Sequence, residues 1–228
     1  MHGPWKPVAA GLAFAAFTAL SAHPAAAHEG GPQHDVRQPY AADGNEPFPV
    51  PAVKTSQIDQ AFLRRTVSYK TGEAPGTIVV DPQRHFLYLV QRGGRARRYG
   101  VGVGRVGFAW SGVATIRNKR QWPDWYPPKE MMKRKPELRQ IVTEMENGLG
   151  MHGGPHNPLG ARALYLWKDN KDTLFRIHGT VEPESIGKSV SSGCIRMINQ
   201  DVIDLYRRAL VGAKVVVLAS HKEAVAGG

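Results

Sequence analysis

A single cysteine, Cys194, is all that the 228 residues contain, so no intrachain disulfide can form. Acidic side chains are scarce as well: 19 Asp and Glu against 30 Lys and Arg leave a formal net charge of +11. Such an excess favours an anionic partner, whether nucleic acid, a membrane surface or an acidic polymer outside the cell. The basic residues, Arg64, Arg97, Lys133 and Arg207 among them, are scattered and not interleaved with aromatics, unlike a single-strand platform. Long apolar runs are lacking too. The stretch from Val8 to Ala22 is too short for a confident membrane span. With Lys6 before it and Ala25, Ala26 and Ala27 after it, it reads as a secretory signal peptide over 1–27, the alternative being an uncleaved anchor. Export argues against nucleic acid as the partner and places the protein in the periplasm or cell envelope.

Glycine and proline are plentiful, at 25 and 17, and hydrophobic residues make up 42%. That mixture favours many short elements joined by turns around a real core, and a mainly β fold. Residues 28–65 are rich in Pro and Gly with almost no periodic apolar pattern, and are expected to be a poorly ordered tether, with a short helix over 56–65. One globular domain is expected over 66–220, followed by a C-terminal tail over 221–228. Strand-like runs fall at 76–81, 85–91, 96–103, 112–117, 161–167, 173–178 and 214–218, with a turn at Gly93 and Gly94. The segment 121–128, QWPDWYPP, is too rich in Pro and Trp for regular structure and reads as a lid, a groove wall or a satellite apolar cluster. The clearest helix runs from Asn199 to Leu210, with Asn199 as its cap, Asp201 in its first turn and Gly212 after it.

Two motifs are set aside. Gly102 to Gly107 matches G-x-G-x-x-G, but a strand-like segment and no helix follows it, so a dinucleotide site is not expected. His152 and His156 are four apart, yet Gly153, Gly154 and Pro155 between them cannot form the helical turn that would aim both at a metal. Neither metal nor organic cofactor is expected.

The remaining constellation is Ile177-His178-Gly179 followed by Ser191-Ser192-Gly193-Cys194-Ile195-Arg196-Met197. A lone thiol in an oxidising compartment is either buried and inert or kept because it reacts. Thiolate chemistry needs a base, and His178 at a strand end is placed to serve. The small residues Ser191, Ser192 and Gly193 can aim backbone N–H groups, with that of Cys194, at a developing oxyanion. Arg196, two residues past the thiol, falls on its side of an extended segment, where it would favour the thiolate or hold a substrate carboxylate. A structural cysteine and a core histidine are the competing reading.

This ordered set resembles the L,D-transpeptidase catalytic domain family, in which a His-Gly pair precedes a Ser-x-Gly-Cys-x-Arg block. The likeness covers about Thr66 to Leu218, including the GTIVVD, YGVGVGR, WPDWYPP and GGPHNPLGARALYLW segments. It departs at Ser192, where many members of the family carry histidine. The resemblance implies a β-sandwich of mixed sheets with a few short helices, and a cysteine acyltransferase acting on peptidoglycan stem tetrapeptides. Cys194 would be the nucleophile, His178 the general base and acid, and Gly179 its orienter through the carbonyl. Ser192, Gly193 and Cys194 would form the oxyanion hole, and Ser191, Arg196 and His152 would line the substrate cleft. Third-to-third residue cross-links are the expected product, in the service of cell-wall biogenesis and cell shape. An L,D-carboxypeptidase or other hydrolase of the same bond, attachment of an envelope lipoprotein, and a non-catalytic wall-binding module are the alternatives.

Overall fold

Val79, Leu87, Leu89, Leu164, Leu166, Ile177, Val215 and Val217 are apolar residues at strand spacing, and burying them requires that their strands be assembled into sheets. The computed structural model describes residues 1–3, 39–105 and 110–219. The expected signal peptide, the first part of the tether and the C-terminal tail fall outside the described residues.

The elements run in the order β1 (Arg65–Ser68), β2 (Ile78–Asp81), β3 (Phe86–Gln91), β4 (Arg95–Gly100), β5 (Val103–Gly104), β6 (Gly112–Gln121), α1 (Lys129–Arg134), β7 (Thr143–Met145), β8 (Gly148–Gly150), β9 (Arg162–Lys168), β10 (Lys171–His178), β11 (Ser189–Ser191), β12 (Ile195–Arg196), α2 (Asn199–Arg208) and β13 (Lys214–Val217). The fold is mainly β, with mixed sheets. Nine strands form one sheet in the order β1-β4-β3-β2-β13-β6-β9-β10-β12, while β11 pairs with β5 and β7 with β8. The β13–β2, β10–β12 and β11–β5 pairs are parallel and the rest antiparallel. The large sheet bends over its own core. Gly102, just past β4, exchanges two backbone hydrogen bonds with Arg196 of the far edge strand β12, at 2.9 and 2.8 Å. Ile78, Leu87, Tyr99, Ile116, Leu164 and Ile177 meet in that core under Val202 and Leu205 of α2. Gly102 has to be glycine there, since a Cβ would lie 2.7 Å from the carbonyl oxygen of Ser185. The G-x-G motif is thus a close-approach site between strands.

Residues 39–64 are not a loose tether. Tyr40, Val50 and Ile58 are buried in satellite apolar clusters with Ile186, Ile198 and Ile203. Polar groups fix the segment further. The Arg162 guanidinium, beside Trp122, pairs with Glu46 at 2.6 Å, and Trp122 donates from Nε1 to the same carboxylate. Arg64 and Tyr40 reach Asp201 of α2 at 3.5 and 3.2 Å. Composition hid this because the anchors are isolated residues without periodicity. In place of the short helix over 56–65, two 3-10 turns occur, at Thr55–Gln57 and Gln60–Phe62.

α2 ends at Arg208, and its N-cap is Ile198 without a side-chain cap. Asn199 is not the cap: its amide oxygen instead accepts the N–H of Ala161 at 2.9 Å. Asp201 does sit in the first turn, but fully buried.

Candidate active site

The strand pair β10–β12 builds the centre. Parallel pairing sets Ile177 opposite Ile195 and His178 opposite Arg196, and the Met197 N–H closes the rung on the His178 carbonyl at 2.8 Å. Cys194, one residue before β12, therefore stands beside Arg176 at the same edge. Sixteen residues apart in sequence, histidine and cysteine are brought together by two neighbouring strands.

His178 is buried, at 5% exposure. Its Nδ1 lies 2.6 Å from the Gly179 carbonyl oxygen, which can only accept, so Nδ1 carries the proton and Nε2 presents its lone pair. Burial, with help from the Arg196 and Arg176 charges, pulls the imidazole down to about 4 against the opposing bond to Gly179. The ring is neutral at pH 7.

Cys194 is a half-buried free thiol. Burial pushes it above its ordinary value, partly offset by the Arg176 backbone N–H and by the Arg176 and Arg196 charges. The resting site is thus a neutral thiol with a neutral imidazole. The sulfur donates weakly to the Leu174 carbonyl at 3.9 Å, and among the described residues no hydrogen bond joins it to His178. Such contacts often tighten only when substrate binds.

The turn before the thiol is tied by Ser191. Its buried hydroxyl donates to the Cys194 carbonyl at 2.6 Å and accepts the Gly193 N–H at 3.2 Å, while Gly193 takes φ +121, a conformation that favours glycine. Ser191 therefore clamps the turn and does not face a substrate cleft, because its hydroxyl is consumed on both sides. The Gly193 N–H, expected to serve an oxyanion, is already engaged. Those of Ser192 and Cys194 have no acceptor among the described residues.

Arg196 is half-buried and donates to Glu182 at 2.7 Å, so its charge acts on the site while its fork is tied to a carboxylate. His152 is exposed beside Asp124 of the Trp-rich segment, 3.5 Å away. Ser192 is exposed and opens on a cleft of about 250 Å³ whose other walls are Arg105, Met131, Arg134 and Lys135. α1 carries two of these, so the insertion after QWPDWYPP forms a cationic wall. His152 and His156 belong to no metal-binding group of three among the described residues.

The strand expected over 173–178 is present as part of β10, but its irregularity at 172–176 was not foreseen. Between the pairs Asp172–Trp167 and Arg176–Tyr165, three residues of β10 stand against one of β9, so β10 bulges. At its tip Leu174 is 71% exposed with φ +62, a left-handed conformation that costs a leucine about 1–2 kcal/mol. The adjacent apolar pair Leu174-Phe175, a break in strand alternation, was the available signal. Phe175 turns inward and stacks on Trp110 at 5.8 Å.

Residues 75–217 match the family described as YkuD, L,D-transpeptidase catalytic domain. The chain is 29% identical to "Probable L,D-transpeptidase ErfK/SrfK" of Escherichia coli over 63% of its own length and 44% of that protein. It spans under half the length of the first curated relatives it matches. A solved L,D-transpeptidase from Mycobacterium smegmatis is 18% identical over 63% of this chain and 58% of that one, with a TM-score of 0.44. A Brucella melitensis structure described as "a Probable carnitine operon oxidoreductase caia" is 52% identical over 72% of this chain and 99% of that one, with a TM-score of 0.47. That activity is the description of that protein alone, and neither TM-score is high enough to carry an argument. The family match spans most of the described strands and contains both His178 and Cys194. This chain belongs to the L,D-transpeptidase catalytic domain family.

Proposed function

We propose that the chain is a cysteine acyltransferase that works on peptidoglycan stem tetrapeptides outside the cytoplasm. Cys194 attacks the carbonyl at the L-centre of the third stem residue, and Nε2 of His178 takes the thiol proton as the C–S bond forms. The tetrahedral oxyanion lies against the N–H groups of Ser192 and Cys194. The imidazolium then returns its proton to the leaving nitrogen, the C–N bond breaks, and D-alanine departs from a Cys194 thioester. An amine of a second stem, deprotonated by His178, attacks the thioester carbonyl and expels the thiolate, which regains the proton. The product is a third-to-third residue cross-link. Stem peptides are anionic, and the cationic cleft beside Ser192 suits them.

The observation that carries this reading is the neutral buried His178, locked by Gly179 with Nε2 left as a base on the strand beside the half-buried thiol. A packed structural cysteine needs no such partner.

The test is intact mass of the protein after incubation with a disaccharide tetrapeptide, comparing wild type with Cys194→Ala and His178→Ala. An acyl adduct or dimeric muropeptide in wild type only supports the reading. Trimmed peptide without dimers would make the enzyme an L,D-carboxypeptidase, and dimers formed only with a lysine-bearing lipoprotein would move the acceptor there. Unchanged substrate with all three proteins, together with undiminished wall binding by Cys194→Ala, would leave a non-catalytic binding module.

A further inference from the structure

Successive N–H groups along a strand point to opposite sides, which fixes where that of Arg176 must go. The Gly179 N–H bonds Arg162 on the β9 side at 3.0 Å. Those of Ile177 and Gly179 therefore face β9, and those of His178 and Arg176 face β12. But β12 begins only at Ile195, the partner of Ile177. Opposite Arg176 there is no strand, so its N–H is directed at the turn that carries Cys194, where it favours the thiolate.

The bulge that presents this N–H is held at both ends by one carboxylate. Asp172 Oδ1 accepts the Leu174 N–H at 2.8 Å, and the two Asp172 oxygens grip the Arg176 guanidinium at 2.7 Å each. Arg176 lies over the Tyr165 ring at 4.3 Å and donates from Nη1 to the Phe175 carbonyl at 3.0 Å. Leu174 contributes its carbonyl, to which the thiol donates. One short segment thus offers an acceptor to the thiol and a donor to the thiolate. The exposed leucine at φ +62 is what bends it into that shape.

We propose that the β10 bulge is a thiolate-binding element: the Arg176 N–H donates to the Cys194 sulfur, and Asp172 is the positioning residue that holds that N–H in place. The proposal rests on Cys194 being the nucleophile, but on no particular substrate. The charged and titratable groups around the sulfur are Asp172, Arg176 and His178 from β10, and Arg196 from β12 with its partner Glu182.

Charge and position give opposite signs, so the proposal can be tested cleanly. Asp172 is an anion that disfavours the thiolate, so through charge alone Asp172→Ala would make the thiol more acidic. If Asp172 acts by position, the loss of the aimed N–H makes the thiol less acidic. The experiment follows the rate of alkylation by iodoacetamide against pH in the whole chain, for wild type, Asp172→Ala and Asp172→Glu, with thermal unfolding confirming that each is folded. The midpoint is expected to move up by about one pH unit in Asp172→Ala, a roughly tenfold slower reaction at neutral pH. Asp172→Glu keeps the charge but lengthens the arm, and is expected to shift the same way by less. Should Asp172→Ala fail to fold, Asp172→Glu decides alone, since charge predicts no shift there. A midpoint that stays or falls in the folded variant overturns the proposal. Alkylation needs no peptidoglycan, so this result is independent of whether the enzyme transfers stem peptides.

Discussion

The side-chain oxygen of Asn199 occupies the space that a Cβ on Gly179 would need, and the Ala161 nitrogen closes it from the other side at 3.1 Å. Gly179 must therefore lack a side chain for its carbonyl to reach His178. Gly179→Ala is expected to destabilise the fold by about 1–3 kcal/mol, as overpacking does, and to lower thioester formation with it. Because the clash is with one side chain, adding Asn199→Ala should recover part of the loss. Denaturant unfolding of both single variants and the double variant measures this coupling, and strictly additive losses would refute the packing account.

The pH dependence of catalysis follows from the neutral imidazole. With His178 held at about 4, the base form persists well below the ordinary 6.5. Thioester formation should therefore stay on its plateau through pH 5.5 and fall only as pH approaches 4. A single-turnover pH profile checks it, and an acid limb near 6.5 would mean that burial does not control the ring.

Stability carries the same group with a calculable sign. Between pH 6.5 and about 4 the unfolded chain binds a proton at His178 that the folded chain refuses, so acidification removes up to about 3 kcal/mol across that window and nothing further below it. Asp201 acts the other way. Burial outweighs Arg64 and raises its carboxyl to about 7, so the folded chain holds a proton that the unfolded chain releases above 3.8, and stability is lost as pH rises towards 7. Asp201→Asn removes that second effect. Its Tm relative to wild type is expected to be higher at pH 8 than at pH 4.5, and a difference independent of pH would contradict the raised carboxyl.

Glu46 and Arg162 form a pair in which both side chains are almost fully buried, at 7% and 5% exposure. Removing one member strands the other charge, so Glu46→Ala is expected to cost about 3–5 kcal/mol. It should also expose residues 39–50 to limited proteolysis while wild type stays intact there. Equal cleavage of both proteins would mean that the segment is held by its apolar anchors alone.

Strands were legible in the sequence as short apolar runs bounded by turn residues, as in HFLYLVQ before Gly93, and the helix at 199 by its apolar stripe. His178, Gly179 and Cys194 were legible because backbone and small residues around them leave a recognisable order. What stayed hidden depends on partners far away in sequence. Ser191 reads as a site residue until both sides of its hydroxyl are found engaged. Asn199 reads as a cap until Ala161 claims its oxygen. The strands β11 and β12 are three and two residues long, too short for any period to show. Tyr40, Glu46 and Val50 sit in a stretch whose composition resembles a linker, and each is fixed by partners more than 70 residues away in sequence.

Strands β10 and β12 run in the same direction, so the chain between them cannot turn back as a hairpin and must travel from residue 179 to residue 194 before it returns. A hairpin would have tied the length of that journey to the register of its strands. Here the two are uncoupled: residues can be added to the exposed part of the route, around Glu182 and Glu184, without sliding His178 along Arg196. The rung that pairs His178 with Arg196 and the excursion that returns to it can therefore vary independently, so that the length of chain between histidine and cysteine is open to change while their relative placement is kept.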